Sequence, residues 1–180
     1  MKRLFVSLCL IGLAAACTSR QNTDATNSSD STASRIESGT STKSTVAALT
    51  PRLTSIGLTT DHDWRRVSIG DDFYTAKATE TTEAFEQDAS HIGYTKEFDN
   101  LESIDYQYFQ TGGKLSKIQV DLYLNTAKSV NDYLVDLVLY LTVRYGTATT
   151  INGVATWQNG KVELKNVSKG KDFGLKLTMK

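Results

Sequence analysis

Apolar and polar residues alternate along two neighbouring segments, residues 104–109 and residues 115–124. Such alternation, with many β-branched and aromatic side chains, is typical of half-buried strands. Residues 110–113 between them include two glycines, which supply the positive φ angles of a tight hairpin turn. The pattern therefore predicts an antiparallel pair of strands.

The second predicted strand has two different faces. Its apolar face consists of Ile118, Val120, Leu122 and Leu124, with Ser116. Its opposite, mainly polar face consists of Leu115, Lys117, Gln119, Asp121 and Tyr123. We therefore expect a sheet with one dry face and one wet face.

The longest predicted helix runs from about Ala127 to Tyr145. Thr126 or Ser129 can cap its first turn, and Gly146 suits the residue that ends a helix. The residues that recur at helical spacing and form its apolar face are Val130, Tyr133, Leu134, Leu137, Val138, Tyr140, Leu141 and Tyr145. A helix with such a face needs a cover, and the dry face of the sheet is its natural partner.

The other segments complete the pattern of a mixed domain. Asp71 or Asp72 can cap a short helix, and Asn159-Gly160 favours a two-residue type I′ turn. The remaining predicted elements are the short helix at about 73–79, strands at 154–157, 161–165 and 173–179, a short strand at 53–58, and a long loop at 80–93 with a helical turn near 83–88. The predicted class is α+β, with an antiparallel sheet of about five strands and one long and one short helix packed on one face.

Two local patterns connect this arrangement with known folds. Ile69-Gly70-Asp71-Asp72 opens the short helix, and Tyr145-Gly146-Thr147 is followed by Trp157 in a strand. In these features the chain resembles the two-layer α/β folds of small outer-membrane lipoproteins of the SmpA/OmlA type and of the β-lactamase-inhibitor-protein superfamily. The resemblance covers the domain in outline and concerns structural turns, so it assigns no functional residue.

The N-terminus has the features of a signal peptide. Met1-Lys2-Arg3 is followed by an uncharged apolar run over residues 4–16, which ends in three alanines before Cys17. The run is shorter than the roughly 20 residues that span a bilayer, so residues 1–16 are predicted to be removed.

The segment resembles the signal peptides of bacterial lipoproteins cut by signal peptidase II. That resemblance implies that Cys17 carries a diacylglycerol and anchors the chain in a lipid bilayer. The family pattern prefers Leu three places before the cysteine, whereas Ala14 stands there and Leu13 one place further out. Thr18 after the cysteine, rather than Asp, implies sorting to the outer membrane, with the domain in the periplasm or at the cell surface. The alternative is plain secretion with Cys17 as a free thiol.

Residues 17–50 are predicted to be a lipidated cysteine followed by a disordered tether. The segment is rich in Ser and Thr and lacks aromatic residues, so it buries too little apolar surface to offset the entropy of ordering. Pro51 marks the predicted start of a single globular domain at 51–180. The alternative is an N-terminal arm that docks on the domain through Val46-Ala47-Ala48-Leu49, the one short apolar patch of this stretch.

Charge and cysteine content narrow the classes of function. The chain has 20 basic and 20 acidic residues, without the basic patch that nucleic-acid binding requires. Cys9 lies in the signal peptide and Cys17 is the lipidation site, and no other cysteine exists. The domain must therefore be stable without a disulfide.

Candidate catalytic residues are few. The Asp61-His62-Asp63 run suggests a metal ligand or a base, but adjacent residues rarely converge on one ion, and a solvated turn is the simpler interpretation. His91 with Asp88 and Ser90 suggests a hydrolase. No G-x-S-x-G motif accompanies these residues, and the neighbours Ser90 and His91 are not expected to face each other productively.

Two hypotheses of function follow. In the first, the chain is a non-enzymatic envelope lipoprotein whose domain binds an envelope protein or another envelope component, without cofactor, metal or nucleic acid. Most aromatic residues are expected in the core, but Tyr123 on the wet face is a candidate recognition patch. In the second, the chain is a small envelope hydrolase with a site in the loop at 80–93.

The anchor generates the first testable prediction. Cys17→Ser should abolish lipidation and leave uncleaved precursor, because signal peptidase II acts on the diacylglyceryl cysteine. Metabolic labelling with a fatty-acid analogue measures this. Equal labelling of the wild type and the variant would show that Cys17 is not the anchor.

Overall fold

The computed structural model describes residues 49–180, so the predicted signal peptide, Cys17 and nearly all of the predicted tether lie outside the described residues. The helices are α1 (Pro51–Ile56), α2 (Phe73–Ala78) and α3 (Ala127–Tyr145). The strands are β1 (Glu86–Gln87), β2 (His91–Glu97), β3 (Ser103–Thr111), β4 (Lys114–Leu124), β5 (Thr149–Ile151), β6 (Val154–Trp157), β7 (Val162–Asn166) and β8 (Phe173–Met179).

All eight strands form one antiparallel sheet in the order β1-β2-β3-β4-β8-β7-β6-β5. Two meanders of four strands, β1 to β4 and β5 to β8, meet where β4 pairs with β8. The long helix α3 carries the chain from the middle of the sheet to its far edge, where β5 begins. The first half of the domain is thus two short helices followed by four strands, the second half is one long helix followed by four strands, and the last strands of the two halves lie side by side.

The predicted α+β class with one antiparallel sheet is confirmed, but the prediction of about five strands and two helices was wrong. The described residues contain eight strands and three α-helices. The missed strands are β1, β2 and β5; the first two fall inside or at the end of the predicted loop at 80–93. β1 and β5 are edge strands of two and three residues. They are too short to show an alternation of apolar and polar residues, so only their pairing with a neighbouring strand defines them.

The short strand predicted at 53–58 is instead the helix α1. Thr50 accepts a hydrogen bond from the Leu53 amide, Pro51 occupies the first turn, and Gly57 ends the helix with φ 119°. These are the usual start and stop signals of a helix. Leu53 and Ile56 are buried on one face of the helix, and their spacing of three residues is helical rather than the period of two of a strand.

The predicted helix ends in the rest of the chain agree better with the structure. Asp72 caps α2 by accepting hydrogen bonds from the Tyr74 and Thr75 amides, and Thr126 caps α3 through the Ser129 amide.

The prediction of a two-residue type I′ turn between β6 and β7 was wrong. Trp157 pairs with Val162, so a four-residue loop with a 3₁₀ turn replaces the two-residue turn. Trp157 is buried under α3, which fixes this register.

The core lies between the three helices and one face of the sheet. Buried residues of all three helices join one hydrophobic cluster with alternate residues of the strands. The strand residues of this cluster are Ile92, Tyr94, Ile104, Tyr106, Tyr108, Leu115, Ile118, Val120, Leu122, Leu124, Trp157, Val162, Leu164, Leu175, Leu177 and Met179. We call the other face, which no described helix covers, the open face.

Leu115 is buried, although the alternation placed it on the wet face. Gln110 pairs with Leu115 and Phe109 with Lys117, which leaves Ser116 as an extra residue in β4. This β-bulge shifts the alternation by one position. Leu115 therefore points into the core, while the residues from Lys117 onward keep the predicted faces.

A buried carboxylate fastens the segment after α2 to the sheet. The Glu80 side chain is 1% exposed and accepts hydrogen bonds from Arg65 Nε at 2.9 Å and from the hydroxyls of Tyr106 and Tyr108 at 2.7 Å each. Burial, together with the carboxylate, raises the pKa of both tyrosines. The two phenols therefore remain neutral hydrogen-bond donors to Glu80 at physiological pH.

Glu80→Ala should lower the free energy of unfolding by about 3–5 kcal/mol, the usual cost of removing one partner of a buried ion pair. The loss arises because Arg65 and two buried hydroxyls keep no acceptor. Denaturant unfolding measures it, with the exposed Glu83→Ala as the matched control on the same segment. Equal midpoints for the two variants would contradict a structural role of the Glu80 carboxylate.

Candidate functional site

The open face of the sheet is organised as rows of side chains that run across the strands. One row contains Ser103, Tyr123 and Gly174, and the adjacent row contains Thr95, Asp105, Asp121 and Lys176. Because side chains alternate along a strand, these residues project on the face opposite the helices. Tyr123, the predicted recognition residue, lies on the interior strand β4, one residue before its end, with 51% of its surface exposed.

Gly174 creates space beside Tyr123. A Cβ atom at this position would lie 2.7 Å from the Leu122 carbonyl oxygen and 3.4 Å from Val167 Cγ2, so the backbone approach requires glycine. Tyr123 and the exposed Val167 line a notch of about 130 Å³ at this point. The open face thus has an aromatic and aliphatic spot with room for part of a ligand side chain.

Two carboxylates stand opposite each other next to Tyr123. Asp105 on β3 pairs directly with Asp121 on β4, a placement of like charges that destabilises a sheet. Lys176 Nζ lies 3.0 Å from Asp121 Oδ1, whereas within residues 49–180 no lysine or arginine forms an ion pair with Asp105. Asp105 accepts a hydrogen bond from the Thr95 hydroxyl at 2.6 Å. Among the described residues Asp105 is therefore a carboxylate without an ion pair, although Lys165, opposite Lys176, adds a second positive charge to the same row.

The Tyr123 hydroxyl stays protonated in this setting. Partial burial raises its pKa first, and the negative charges of Asp105 and Asp121 raise it further. A neutral phenol beside carboxylates can donate one hydrogen bond and present its ring to a ligand. The site suits binding through contact and charge rather than through proton transfer.

The far end of the open face has a second group of polar side chains, around His91. The imidazole stacks on Phe109 with 5.2 Å between ring centres, and Lys117 Nζ lies 3.5 Å from the centre of the same ring. Glu86 Oε1 is 3.2 Å from His91 Nε2, and Asp88 Oδ1 is 3.0 Å from Nδ1. His91 therefore connects the short edge strand β1, through Glu86, to the sheet.

Ser90 also approaches this imidazole, contrary to the expectation that neighbours would not face each other. Its hydroxyl lies 3.3 Å from His91 Nδ1, but it donates a hydrogen bond to Asp88 Oδ1 at 2.8 Å. Ser90 and Asp88 thus share one ring nitrogen. In a Ser-His-Asp triad the serine and the acid occupy opposite nitrogens, so Ser90, His91 and Asp88 do not form one. Glu86 lies 3.2 Å from the opposite nitrogen, Nε2, and is the carboxylate that would orient the imidazole toward Ser90.

His62 and its neighbours do not converge on one point. His62 Nε2 lies 3.5 Å from Asp61 Oδ2 at the surface, whereas Asp63 Oδ1 contacts Arg144 and accepts a hydrogen bond from the Tyr145 hydroxyl at 2.8 Å. Burial, with the hydrogen bond to Asp63, raises the Tyr145 pKa. Asp63 therefore links the turn to α3, a role that the sequence did not indicate.

The described part of the chain has neither a metal cluster nor a membrane-crossing helix. Over residues 49–180, no group of three or more His, Cys, Asp or Glu side chains is placed to hold a metal ion. None of the helices described here combines the length and the apolar character that a membrane crossing requires. No protein family model, curated protein or solved structure matches this chain.

The alternation of the sequence placed Tyr123 on the solvent-exposed face of the sheet, but it did not indicate the residues that surround this side chain. Gly174 and Val167 come from the other half of the chain, and the Asp105–Asp121 opposition depends on the strand register. The one available signal was the alternation that places both carboxylates on the polar face of a predicted hairpin. The length of the turn sets the register of a hairpin, so with a known turn length the sequence would have placed Asp105 and Asp121 opposite each other.

The turn at Asp88 generates a pH prediction. Its carboxylate accepts hydrogen bonds from the Ser90 amide, the Ser90 hydroxyl and the His91 amide, which lower its pKa from 3.8 to about 2. Because the folded pKa is the lower one, this stabilisation is present above about pH 4 and is lost as the pH falls through 2. NMR titration of the Asp88 carboxyl carbon should give a midpoint near 2. A midpoint near 4 would mean that the turn is open in solution.

Proposed function

We propose that this chain is a bacterial outer-membrane lipoprotein, anchored through acylated Cys17, whose domain binds an envelope protein or another envelope component without catalysing a reaction. The signal-like N-terminus before Cys17 supports the anchor. The open face supports the binding role. The function of the domain is assigned to the Tyr123 region of this face.

The exposed Tyr123 beside the Gly174 notch is the observation that carries the proposal. Exposed tyrosines on a rigid sheet lose little conformational entropy on binding, and aromatic residues are enriched among those that dominate interface energies. Interior strands of the sheet, β4 and β8, hold Tyr123 and Gly174 in place. A partner would thus meet a preformed surface.

The charge of the site indicates what the partner should present. Lys176 forms an ion pair with Asp121 but not with Asp105, so the like-charge contact between the two carboxylates remains only partly compensated. A basic group of a partner would relieve this repulsion and could also contact the Tyr123 ring. The proposed partner therefore carries a lysine or arginine next to an apolar group.

The point at which the chain enters the domain is compatible with anchoring. Thr50 Oγ1 donates a hydrogen bond to Asp136 on α3 at 2.9 Å, and Arg52 forms ion pairs with Asp132 and Asp136. The N-terminal chain therefore enters on the helical layer, opposite the open face. A flexible tether of some 30 residues would have an average reach of about 30 Å. Neither the anchor nor the tether would then occupy the recognition surface.

The alternative function, a small envelope hydrolase, has two observations in its favour, the approach of Ser90 to His91 Nδ1 and the position of Glu86 at His91 Nε2. The hydroxyl hydrogen of Ser90 is directed to Asp88 rather than to the imidazole. A nucleophilic serine needs a base that takes its proton and a third group that orients that base. This arrangement supports a structural turn better than catalysis.

Partner capture tests the proposal. Tyr123→Glu in the full-length lipoprotein should abolish co-purification of the partner from detergent-solubilised membranes, because it removes the aromatic ring that the apolar group of the partner would contact. Tyr74→Glu is the matched control, since Tyr74 is a 74% exposed tyrosine on α2, away from the open face. Mass spectrometry identifies the species lost. Equal capture by the two folded variants would overturn the proposed site.

The same preparation separates binding from hydrolysis. Replacing His62 and His91 together with Ala should leave partner capture and the envelope phenotype unchanged. For a hydrolase that uses either imidazole as acid or base, the loss would be about 10²- to 10⁴-fold in rate. A double variant that folds normally but loses function, combined with a Tyr123→Glu variant that keeps it, would favour the hydrolase.

A further inference from the structure

The outer surface of α3 carries an apolar strip that no residue within 49–180 covers. Leu134, Val135, Val138, Leu139 and Thr142 line a shallow groove of about 470 Å³, and we call these residues the α3 strip. Val135 is 58% exposed and Leu139 50% exposed. The one polar member, Thr142, has its hydroxyl oxygen 3.3 Å from Trp157 Nε1, and Nε1 is the donor. Covering these adjacent apolar side chains with a short apolar segment would remove apolar surface from water and be favourable.

The described chain begins beside this strip. Leu49 is half-buried and packs against the hydrophobic core, and Thr50 is hydrogen-bonded to Asp136. Asp136 follows Val135 directly and lies one helical turn before Leu139. The chain that precedes Leu49 therefore starts within about one helix diameter, roughly 10–12 Å, of the exposed side chains of the strip.

The residues just before Leu49 have matching chemistry. Val46-Ala47-Ala48 is a continuous apolar run at the end of a long stretch rich in Ser and Thr. Three extended residues span about 10 Å, which is enough to cross the outer surface of α3 from Leu49. Small alanines and one valine can lie flat against a shallow groove that a bulkier segment would overfill.

We infer that Val46-Ala47-Ala48 packs on the α3 strip and continues the contact that Leu49 makes with the core. The folded unit then includes the end of the predicted tether, and the free part of the tether ends near residue 45. The chain leaves the domain across α3, which fixes its exit on the side opposite the open face. This inference rests on the contacts of Leu49 and Thr50 and on the α3 strip, and not on the proposed binding function.

The size of the strip favours a segment of the same chain over a second copy. Stable interfaces bury about 1,200–2,000 Å² in total, whereas this strip offers one face of a single helix, with two residues that are half exposed or more. A directly attached segment needs no such area. Its effective concentration is millimolar or higher, so a contact too weak to hold two molecules together is still populated.

Methyl NMR of residues 17–180 carrying Cys17→Ser tests the inference. We expect nuclear Overhauser effects between the methyl groups of Val46, Ala47 or Ala48 and those of Val135 or Leu139. Val46→Asp should abolish them and shift the Leu139 methyl signals, while the methyl signals of Leu137, fully buried on the inner side of α3, should stay in place.

Samples that mix two differently labelled chains distinguish the possible occupants. Effects observed within one chain support the inference. Effects observed only between chains would overturn it in favour of a second copy on the strip. Absence of any effect from the strip to residues 46–48 would also overturn it and leave the strip to another partner. Because the open face is not involved, none of these results depends on capture through Tyr123.

Discussion

The pairing of β4 with β8 is the interaction on which the rest of the domain depends. Ile118 pairs with Met179 at one end of this seam and Leu124 with Phe173 at the other, which joins two meanders that are separate in sequence. Without the seam each half would be a four-stranded sheet with an exposed interior edge. The helix α3 contacts both β4 and β8, so it covers the seam on the core side of the sheet. Such non-local pairing carries a large loop-closure cost, which the apolar residues at the seam have to offset.

This architecture leaves one face of the sheet free. All three helices contribute their buried side chains to the same core, so each strand presents its alternate residues to solvent on the other side. The central strands β4 and β8 are fixed on both edges by hydrogen bonds, and Tyr123 and Gly174 face each other across them. The candidate site is therefore the part of the open face with the least freedom to move. The helical layer, by contrast, holds the Glu80 and Asp63 networks and receives the N-terminal chain at Thr50.

The sequence was most informative where a local pattern and the tertiary environment agree. The hairpin of β3 and β4 and the caps of α2 and α3 were predicted because alternation, turn glycines and capping side chains all act within a few residues. β1 and β5 were missed since their partners, not their own two or three residues, decide that they are strands. Leu115 was misplaced because the bulge at Ser116 is visible only in the register with β3. The burial of Glu80 had no local signal at all, since its partners Tyr106 and Tyr108 lie more than 25 residues away.

The candidate site also combines a feature that the local pattern predicts with features that depend on distant parts of the chain. Period-two alternation was enough to expose Tyr123, but its notch exists only because Gly174 and Val167 arrive from the other half of the chain. The row of Ser103, Tyr123 and Gly174 crosses the seam between the two meanders. A ligand that binds both sides of this row binds the folded domain and not its separate halves, so it stabilises the β4–β8 pairing by mass action. Occupation of the open face would thus raise the resistance of the whole domain to unfolding, and the helical layer, although it does not touch the ligand, would share in that gain through α3.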